Sequence, residues 1–268
     1  AAAHAIMTTD TRPKTAFREI DGVRIFGMCK GAGMIHPDMA TMLATVVTDA
    51  AIPPDRLDAL LRAAVDVSFN AISVDGDMST NDTVLALANG MAENAPIRSL
   101  DSRDGRRFQQ ALNRVCLELA RQLVADGEGV TRVVNVRVSG ARSQRDADHA
   151  ARAVGNRVLV KTSWCGGDPN WGRIMDALGY SPARIVEAKV DLGYSAPGSK
   201  DITWSLRRGL PTRVDFATLC ACVAPAEFDL HIRLNLGRGK AVVYACDLSE
   251  AYVGFNKGDV SDPAALGG

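Results

Sequence analysis

Eight consecutive residues near the end of the sequence, 228–235, alternate strictly between apolar and polar side chains. One face of this stretch would hold Phe228, Leu230, Ile232 and Leu234, and the other Asp229, His231, Arg233 and Asn235. A period of two indicates an extended strand with one buried face. The alternation resumes over 241–245, after the turn sequence Gly237-Arg238-Gly239, so this region predicts a β-hairpin.

Helical periodicity fills much of the remaining chain. Pro53 and Pro54 open a predicted helix that runs towards Phe69, and a second helix spans about 106–125. Further helices are expected after Ser143, after Asp168 and over about 83–90, and alternation predicts a strand over 134–138. Because helices and strands mix without a regular βαβ repeat, we expect an α/β protein of the α+β type, with mixed and antiparallel sheets packed with helices.

Composition excludes several classes of function. Lys plus Arg equals Asp plus Glu at 31 each, which gives no general attraction to nucleic acid. No apolar run is long enough to cross a membrane, and the first residues do not resemble a signal peptide. The six cysteines lack zinc-ligand spacing, so no metal is expected. We therefore expect a cytoplasmic protein without nucleic-acid or membrane partners.

Residues 30–43 form the most chemically specific segment. Thr41 follows the small residue Ala40 in a stretch rich in glycine, with Pro37 close by. If the bond between Ala40 and Thr41 breaks, Thr41 carries a hydroxyl and a free amine on neighbouring carbons, and that amine can act as the base for the hydroxyl. The alternative interpretation is a tight structural turn with buried Met34 and Met39.

Other polar clusters admit both functional and structural interpretations. Residues 74–83 are dense in Asp, Ser, Thr and Asn but do not match a calcium loop, so we expect a turn whose side chains cap backbone amides, with the option that it also lines a site. Asp168 and Pro169 should start a helix, and Arg173 either grips a carboxylate or bridges two elements. Glu128, between two glycines, either binds a cationic substrate group or is solvated.

Taken together, these segments resemble the glutamate N-acetyltransferase / ornithine acetyltransferase family of arginine biosynthesis. The matching motifs lie, in chain order, at 7–10, 30–34, 39–43, 48–50, 79–83, 126–131, 168–173 and 246–253. The resemblance implies self-cleavage between Ala40 and Thr41, with Thr41 as the nucleophile. The substrate contacts it implies are Thr8, Lys30, Thr41, Glu128, Asn256 and Ser261.

The resemblance also implies a reaction, a fold and an assembly. An acetyl group would move from N2-acetylornithine to L-glutamate through an acetyl-threonine intermediate, without a cofactor, and with acetyl-CoA as an alternative acetyl donor. The implied fold is the ornithine acetyltransferase / aminopeptidase-like self-cleaving fold. Residues 1–40 would end the family's α chain and 41–268 would form its β chain, with subdomains near 41–180 and 181–268. The two pieces would assemble as an α2β2 heterotetramer.

Two departures from the family pattern leave alternatives open. The family stabilises its oxyanion with a Thr-Gly pair upstream of the 7–10 motif, and no Thr-Gly dipeptide occurs in this sequence. Val260 stands where the family often has a Tyr, which weakens the assignment of Ser261. The alternatives are an N-terminal-nucleophile amidohydrolase or aminopeptidase, in which water takes the acyl group, and an inactive fragment that needs its upstream segment.

Overall fold

A computed structural model describes residues 1–36, 42–79 and 81–257 of the chain. The chain divides into two compact units, Ala1–Gly127 and Glu128–Gly268. Each unit contains one mixed sheet packed with helices, which confirms the fold class expected from the sequence.

The first unit is built around a sheet with the strand order β1-β2-β3-β4. Its elements are α1 (Ala2–Ala5), β1 (Lys14–Ile20), β2 (Val23–Lys30), β3 (Leu43–Thr48), α2 (Pro54–Asp66), a 3₁₀ turn (Phe69–Ala71), β4 (Thr83–Ala88) and α3 (Arg103–Ala125). The pairs β1–β2 and β2–β3 are antiparallel, and β3–β4 is parallel. Lys30 at the end of β2 pairs with Leu43 at the start of β3, so residues 31–42 connect two neighbouring strands.

The long helix α3 packs on β1 and β2 and carries the apolar stripe that the sequence predicts. The stripe is almost completely buried and comprises Phe108, Leu112, Val115, Leu119 and Leu123. Gly27 of β2 permits the close approach, because a Cβ there would lie 2.7 Å from Leu119 Cδ1. The helix ends at Ala125, and this placement brings the next residue, Asp126, into contact with the start of β1.

Residues 83–88 form the strand β4, so the helix predicted there is wrong. They pair in parallel with the whole of β3, from Leu43 opposite Thr83 to Thr48 opposite Ala88. Periodicity does not separate strand from helix in so short an apolar run, and pairing with β3 decides the outcome.

The second unit is built around a sheet with the order β10-β5-β9-β6-β7-β8. Its elements are β5 (Val133–Ala141), α4 (Gln144–Gly155), α5 (Val158–Cys165), α6 (Trp171–Gly179), a 3₁₀ turn (Glu187–Lys189), β6 (Asp191–Ser195), β7 (Thr203–Arg207), β8 (Leu210–Pro211), α7 (Phe216–Val223), β9 (Glu227–Arg233), β10 (Gly239–Cys246) and α8 (Glu250–Asn256). Among the helices that the structure describes, none has the length and apolar character needed to cross a membrane.

The hairpin predicted near the C-terminus is also wrong. The strands β9 and β10 both form, but β5 lies between them, parallel to β9 and antiparallel to β10. The apolar face predicted for β9 is buried, with Phe228, Leu230 and Ile232 at 0% exposure. Local alternation therefore identified the strands and their buried face, whereas the pairing order depends on a strand about ninety residues earlier, which pairs Asn135 with Asp229.

Candidate functional site

Asp10 joins two segments of the first unit that the sequence singled out separately. Its Oδ2 accepts a hydrogen bond of 3.1 Å from the backbone N–H of Thr8, and its Oδ1 accepts one of 2.8 Å from the backbone N–H of Gly31. Gly31 directly follows Lys30. One buried carboxylate thus links the segments that carry Thr8 and Lys30, two of the predicted substrate-binding residues.

A buried lysine balances the charge of Asp10. Lys14 is fully buried, and its Nζ lies 2.5 Å from Asp10 Oδ1 and 2.5 Å from Asp126 Oδ2. Asp126 Oδ2 also accepts a hydrogen bond of 3.1 Å from the backbone N–H of Thr11. Burial raises the pKa of the Asp10 carboxyl, but the hydrogen bonds from Lys14, Gly31 and Thr8 outweigh it and leave that pKa below its ordinary value.

Asp82 binds the backbone that directly follows the predicted nucleophile. Its Oδ1 accepts a hydrogen bond of 2.6 Å from the backbone N–H of Met42, whose nitrogen is bonded to the carbonyl carbon of Thr41. Burial raises the pKa of Asp82, while the Met42 hydrogen bond and the charge of Lys30 oppose that shift. Ala40 and Thr41 themselves lie outside the described residues.

The dense polar segment 74–83 caps backbone amides, as the sequence predicts. Asp75 accepts hydrogen bonds from the backbone N–H groups of Met34 at 2.6 Å and Ile35 at 3.0 Å. Met34 has a φ of 55°, a conformation that costs a non-glycine residue energy unless neighbouring groups support it. The 74–83 segment therefore binds the connection between β2 and β3 at two places, through Asp75 at Met34 and Ile35 and through Asp82 at Met42.

In the second unit the structure brings Glu128 and Asn256 together. The Nδ2 of Asn256, at the end of α8, donates a hydrogen bond of 2.8 Å to Glu128 Oε2. The start of α8 is fixed by Ser249, whose hydroxyl donates to the carbonyl oxygen of Gly129 at 2.5 Å. The two predicted substrate-binding residues of this unit are thus hydrogen-bonded to each other. Ser261, the third residue predicted in this region, lies outside the described residues.

Gly129 allows α8 to pack against the loop that carries Glu128. It has a φ of +69°, and a Cβ at this position would lie 2.6 Å from the backbone nitrogen of Tyr252. Asp247, just before α8, binds the other end of the same loop by accepting hydrogen bonds from the backbone N–H groups of Thr131 at 2.9 Å and Arg132 at 3.0 Å. The part of the 126–131 motif that belongs to the second unit, from Glu128 onward, therefore packs with the 246–253 motif as one loop and helix.

Replacing Gly129 by alanine should loosen α8. The methyl group would strain the backbone at positive φ by about 1–3 kcal/mol and would collide with the backbone of α8. We expect faster hydrogen–deuterium exchange in peptides that cover 249–256. Gly179→Ala is a matched control in the same unit, because a Cβ there meets no atom within 4 Å. Unchanged exchange of α8 in Gly129→Ala would contradict the packing described.

The helix predicted after Asp168 forms, but it begins later than expected. The helix α6 has Asn170 as its N-cap, which accepts a hydrogen bond of 3.0 Å from the backbone N–H of Arg173. Asp168 instead accepts a hydrogen bond of 2.9 Å from the Asn170 side chain. The Arg173 guanidinium donates to the carbonyl oxygen of Leu159 at 2.8 Å, which confirms that it bridges two helices.

Asp10 and Asp82 lie inside the family motifs 7–10 and 79–83, but the sequence pattern does not mark either as a site residue. The contacts that matter for the site, from Asp10 to Gly31 and from Asp82 to Met42, span 21 and 40 residues, so the local sequence does not indicate them. Lys14 carried no sequence signal at all. Within the described ranges, no group of three or more His, Cys, Asp or Glu side chains is arranged to hold a metal ion.

Comparisons with known proteins identify the family. The sequence model of the ArgJ family matches residues 1–258. The arginine biosynthesis bifunctional protein ArgJ of Geobacter sulfurreducens is 48% identical over 259 residues, which make up 95% of this chain and 64% of that protein. Its counterpart from Thermus thermophilus is 42% identical over 95% of this chain and 63% of that protein. The chain therefore spans slightly less than two thirds of the length of these relatives.

A solved structure agrees with the sequence relatives. The crystal structure of arginine biosynthesis bifunctional protein argJ from Bacillus halodurans superposes with a TM-score of 0.74 at 34% identity. The superposition covers 80% of this chain and 97% of the solved chain. A family match over almost the whole sequence, relatives above 40% identity and a shared fold show that the chain belongs to the ArgJ family.

Proposed function

We propose that the protein is an acetyltransferase of arginine biosynthesis that cleaves itself between Ala40 and Thr41 and then moves an acetyl group from N2-acetylornithine to L-glutamate. The observation that carries this proposal is the family match across a chain that contains the Ala40-Thr41 motif. The relatives bear the name arginine biosynthesis bifunctional protein. Because the chain spans less than two thirds of their length, the proposal concerns the protein together with any sequence that its gene places before Ala1.

Self-cleavage creates the nucleophile. In the first step Thr41 Oγ attacks the carbonyl carbon of Ala40, and the peptide bond gives way to an ester while the Thr41 nitrogen gains a proton. Water then hydrolyses the ester, which leaves a carboxylate on Ala40 and restores the Thr41 hydroxyl. Thr41 now carries a free α-amine next to its hydroxyl, the arrangement of an N-terminal-threonine nucleophile.

The hydrogen bond between Asp82 and the Met42 amide supports this assignment. It holds the Met42 amide nitrogen, which directly follows Thr41 in the chain, at 2.6 Å from the half-buried carboxylate of Asp82, next to the start of β3. A nucleophile needs such support because a small displacement from its reactive position costs a large part of the rate. We propose that Asp82 holds the start of the new chain in place before and after cleavage.

Acetyl transfer follows in two half-reactions. Thr41 Oγ attacks the acetyl carbonyl of N2-acetylornithine, the Thr41 amine takes the hydroxyl proton, and that proton passes to the departing amine of ornithine. The amine of glutamate then attacks the acetyl-Thr41 ester, and Thr41 Oγ regains a proton as N-acetylglutamate leaves. A terminal α-amine has a pKa near 7.7–8.0, so roughly a quarter is neutral base slightly above pH 7.

The substrate-binding roles rest on charge and on the family resemblance. In the first unit, Lys30 is nine-tenths buried and suits a substrate carboxylate, and Thr8 is exposed and offers a hydroxyl. In the second unit, Glu128 suits the ammonium group of ornithine, and Asn256 binds Glu128 and orients its carboxylate. We also propose substrate contacts for Thr41 itself and for Ser261.

The proposal extends to the products of cleavage. Residues 1–40 would end an α piece and residues 41–268 would form a β piece, and the pieces would stay together in an α2β2 assembly. A β piece of this kind has a length close to that of the solved Bacillus halodurans chain, 97% of which is covered by about four fifths of the present chain. The enzyme needs no cofactor in this scheme, and acetyl-CoA would serve as an alternative acetyl donor.

The transfer reaction predicts parallel lines in double-reciprocal plots when N2-acetylornithine and glutamate are varied, because the acetyl-enzyme separates the two half-reactions. N-acetylglutamate and acetate should be measured together, since acetate would mark transfer to water. A protein that releases only acetate would be a hydrolase and would overturn the proposal. Intersecting lines would exclude the acetyl-threonine intermediate.

A further inference from the structure

We infer that Asp10 is a positioning residue for substrate binding, which places Thr8 and Lys30 through their backbones. The inference rests on the proposed function, because that proposal assigns substrate contacts to Thr8 and Lys30. Asp10 itself is buried and touches no substrate in this scheme. What it adds to the proposed function is a single group that controls the relative position of two binding residues.

The geometry uses both carboxylate oxygens. Oδ2 accepts from the Thr8 amide at 3.1 Å, whereas Oδ1 accepts from the Gly31 amide at 2.8 Å and from Lys14 Nζ at 2.5 Å. An ionised carboxylate only accepts hydrogen bonds, and it accepts them on both oxygens. The Asp10 carboxylate therefore accepts hydrogen bonds on both of its oxygens. An uncharged amide of the same shape accepts only on its single oxygen, because its NH2 group donates.

The ion pair with the buried Lys14 keeps the Asp10 carboxylate ionised and fixes its position. Lys14 lies between Asp10 and Asp126, so the three side chains carry a net charge of minus one. When the charge on Asp10 is removed, the buried Lys14 is still paired with Asp126, so its charge keeps an ion-pair partner. An Asp10→Asn protein should therefore fold, and its defect should be one of placement rather than of stability.

The expected defect follows from the donors around the side chain. In Asp10→Asn the amide oxygen should face Gly31 and Lys14, which present two donors, and the NH2 group should face the Thr8 amide. Two donors then oppose each other, and the Thr8 segment is released while Gly31 stays bound. We expect kcat/KM for N2-acetylornithine to fall about ten- to a hundredfold, mostly through KM.

A double-mutant cycle separates this role from a general structural one. If Asp10 acts through Thr8, the double variant Asp10→Asn/Thr8→Ala should be little worse than Thr8→Ala alone, because the interaction is already lost. The control Asp191→Asn removes a carboxylate of matched burial, 6% exposed against 7% for Asp10, which also accepts a hydrogen bond from a backbone N–H group, that of Arg208. Its effect should be small in both backgrounds.

The assays should use the protein expressed from its complete gene. Full additivity of Asp10→Asn and Thr8→Ala, or a KM for Asp10→Asn equal to that of wild type, would overturn the inference. Hydrogen exchange of the wild type provides a test that needs no variant, because the Thr8 and Gly31 amides should both be protected. Unprotected amides in an active enzyme would also overturn it. A wild-type protein that makes no N-acetylglutamate would instead refute the proposed function.

Discussion

A Thr41→Ala variant should remain one uncut chain and should transfer no acetyl group. The substitution removes the only hydroxyl that attacks in both the cleavage and the transfer steps, and loss of a catalytic nucleophile typically lowers kcat by about 10⁶-fold. Intact-mass analysis measures the cleavage, and formation of N-acetylglutamate measures the transfer. Both should fail together because one group performs both reactions.

The conservative variant Thr41→Ser is the control for this prediction. Serine keeps the hydroxyl and the adjacent amine, so it should restore cleavage and transfer at a reduced rate. Transfer by Thr41→Ala at a rate near that of wild type would refute the assignment of the nucleophile. Cleavage that persists in Thr41→Ala would show that the scissile bond is not the one between Ala40 and Thr41.

Replacing Lys14 by methionine should destabilise the first unit by about 3–5 kcal/mol. The lysine is the buried counter-ion that Asp10 and Asp126 share. Its loss removes the ion-pair partner of Asp10 and leaves Asp126 with only the exposed Arg12, whose Nε lies 3.8 Å from Asp126 Oδ1. Chemical denaturation of wild type and variant at neutral pH measures the loss. Hydrogen exchange should locate it in β1 and α3, the elements joined by the ion pairs.

The pH dependence of stability should change sign in this variant. In the wild type the pKa of Asp10 is lowered on folding, so its contribution is present above the unfolded-state value of about 3.9 and is lost as the pH falls through the folded-state value. Without Lys14, burial of Asp10 is no longer offset by the ammonium group, and the pKa of Asp10 should rise, so the variant should regain stability as the pH falls from 7 towards about 4.

Lys161 provides the control for burial of a lysine. It is 1% exposed, and its ammonium group donates to the carbonyl oxygen of Cys246. Lys161→Met removes a buried charge from a neutral partner and should cost much less than Lys14→Met. Equal losses in the two variants would show that the shared ion pair does not explain the stability of the first unit.

Much of the fold could be predicted because its signals are local. The stripe of α3 and the alternation of β9 each depend on residues a few positions apart, and both faces are buried as expected. The partner of a strand is not a local property. This is why β10 was expected beside β9 although β5 lies between them, and why the short run 83–88 was expected to be helical although it pairs with β3.

In the candidate site, too, the sequence predicts local features but not the contacts between distant residues. The motifs name Thr8, Lys30, Glu128 and Asn256, and their spacing does not reveal that Asp10 ties the first two or that the last two are hydrogen-bonded to each other. Lys14 looks like any lysine at the start of a strand until its carboxylate partners, four and 112 residues away, are known. Buried charge networks of this kind follow from tertiary packing alone.

Mass spectrometry of the protein after brief mixing with N2-acetylornithine, in the absence of glutamate, tests the acetyl-threonine mechanism most directly. We predict a chain that begins at Thr41 and is heavier by one acetyl group, with the acetyl located on the Thr41 side chain and removed on addition of glutamate. An enzyme that forms N-acetylglutamate while its chain stays uncut, or while Thr41 stays free of acetyl, would contradict the mechanism.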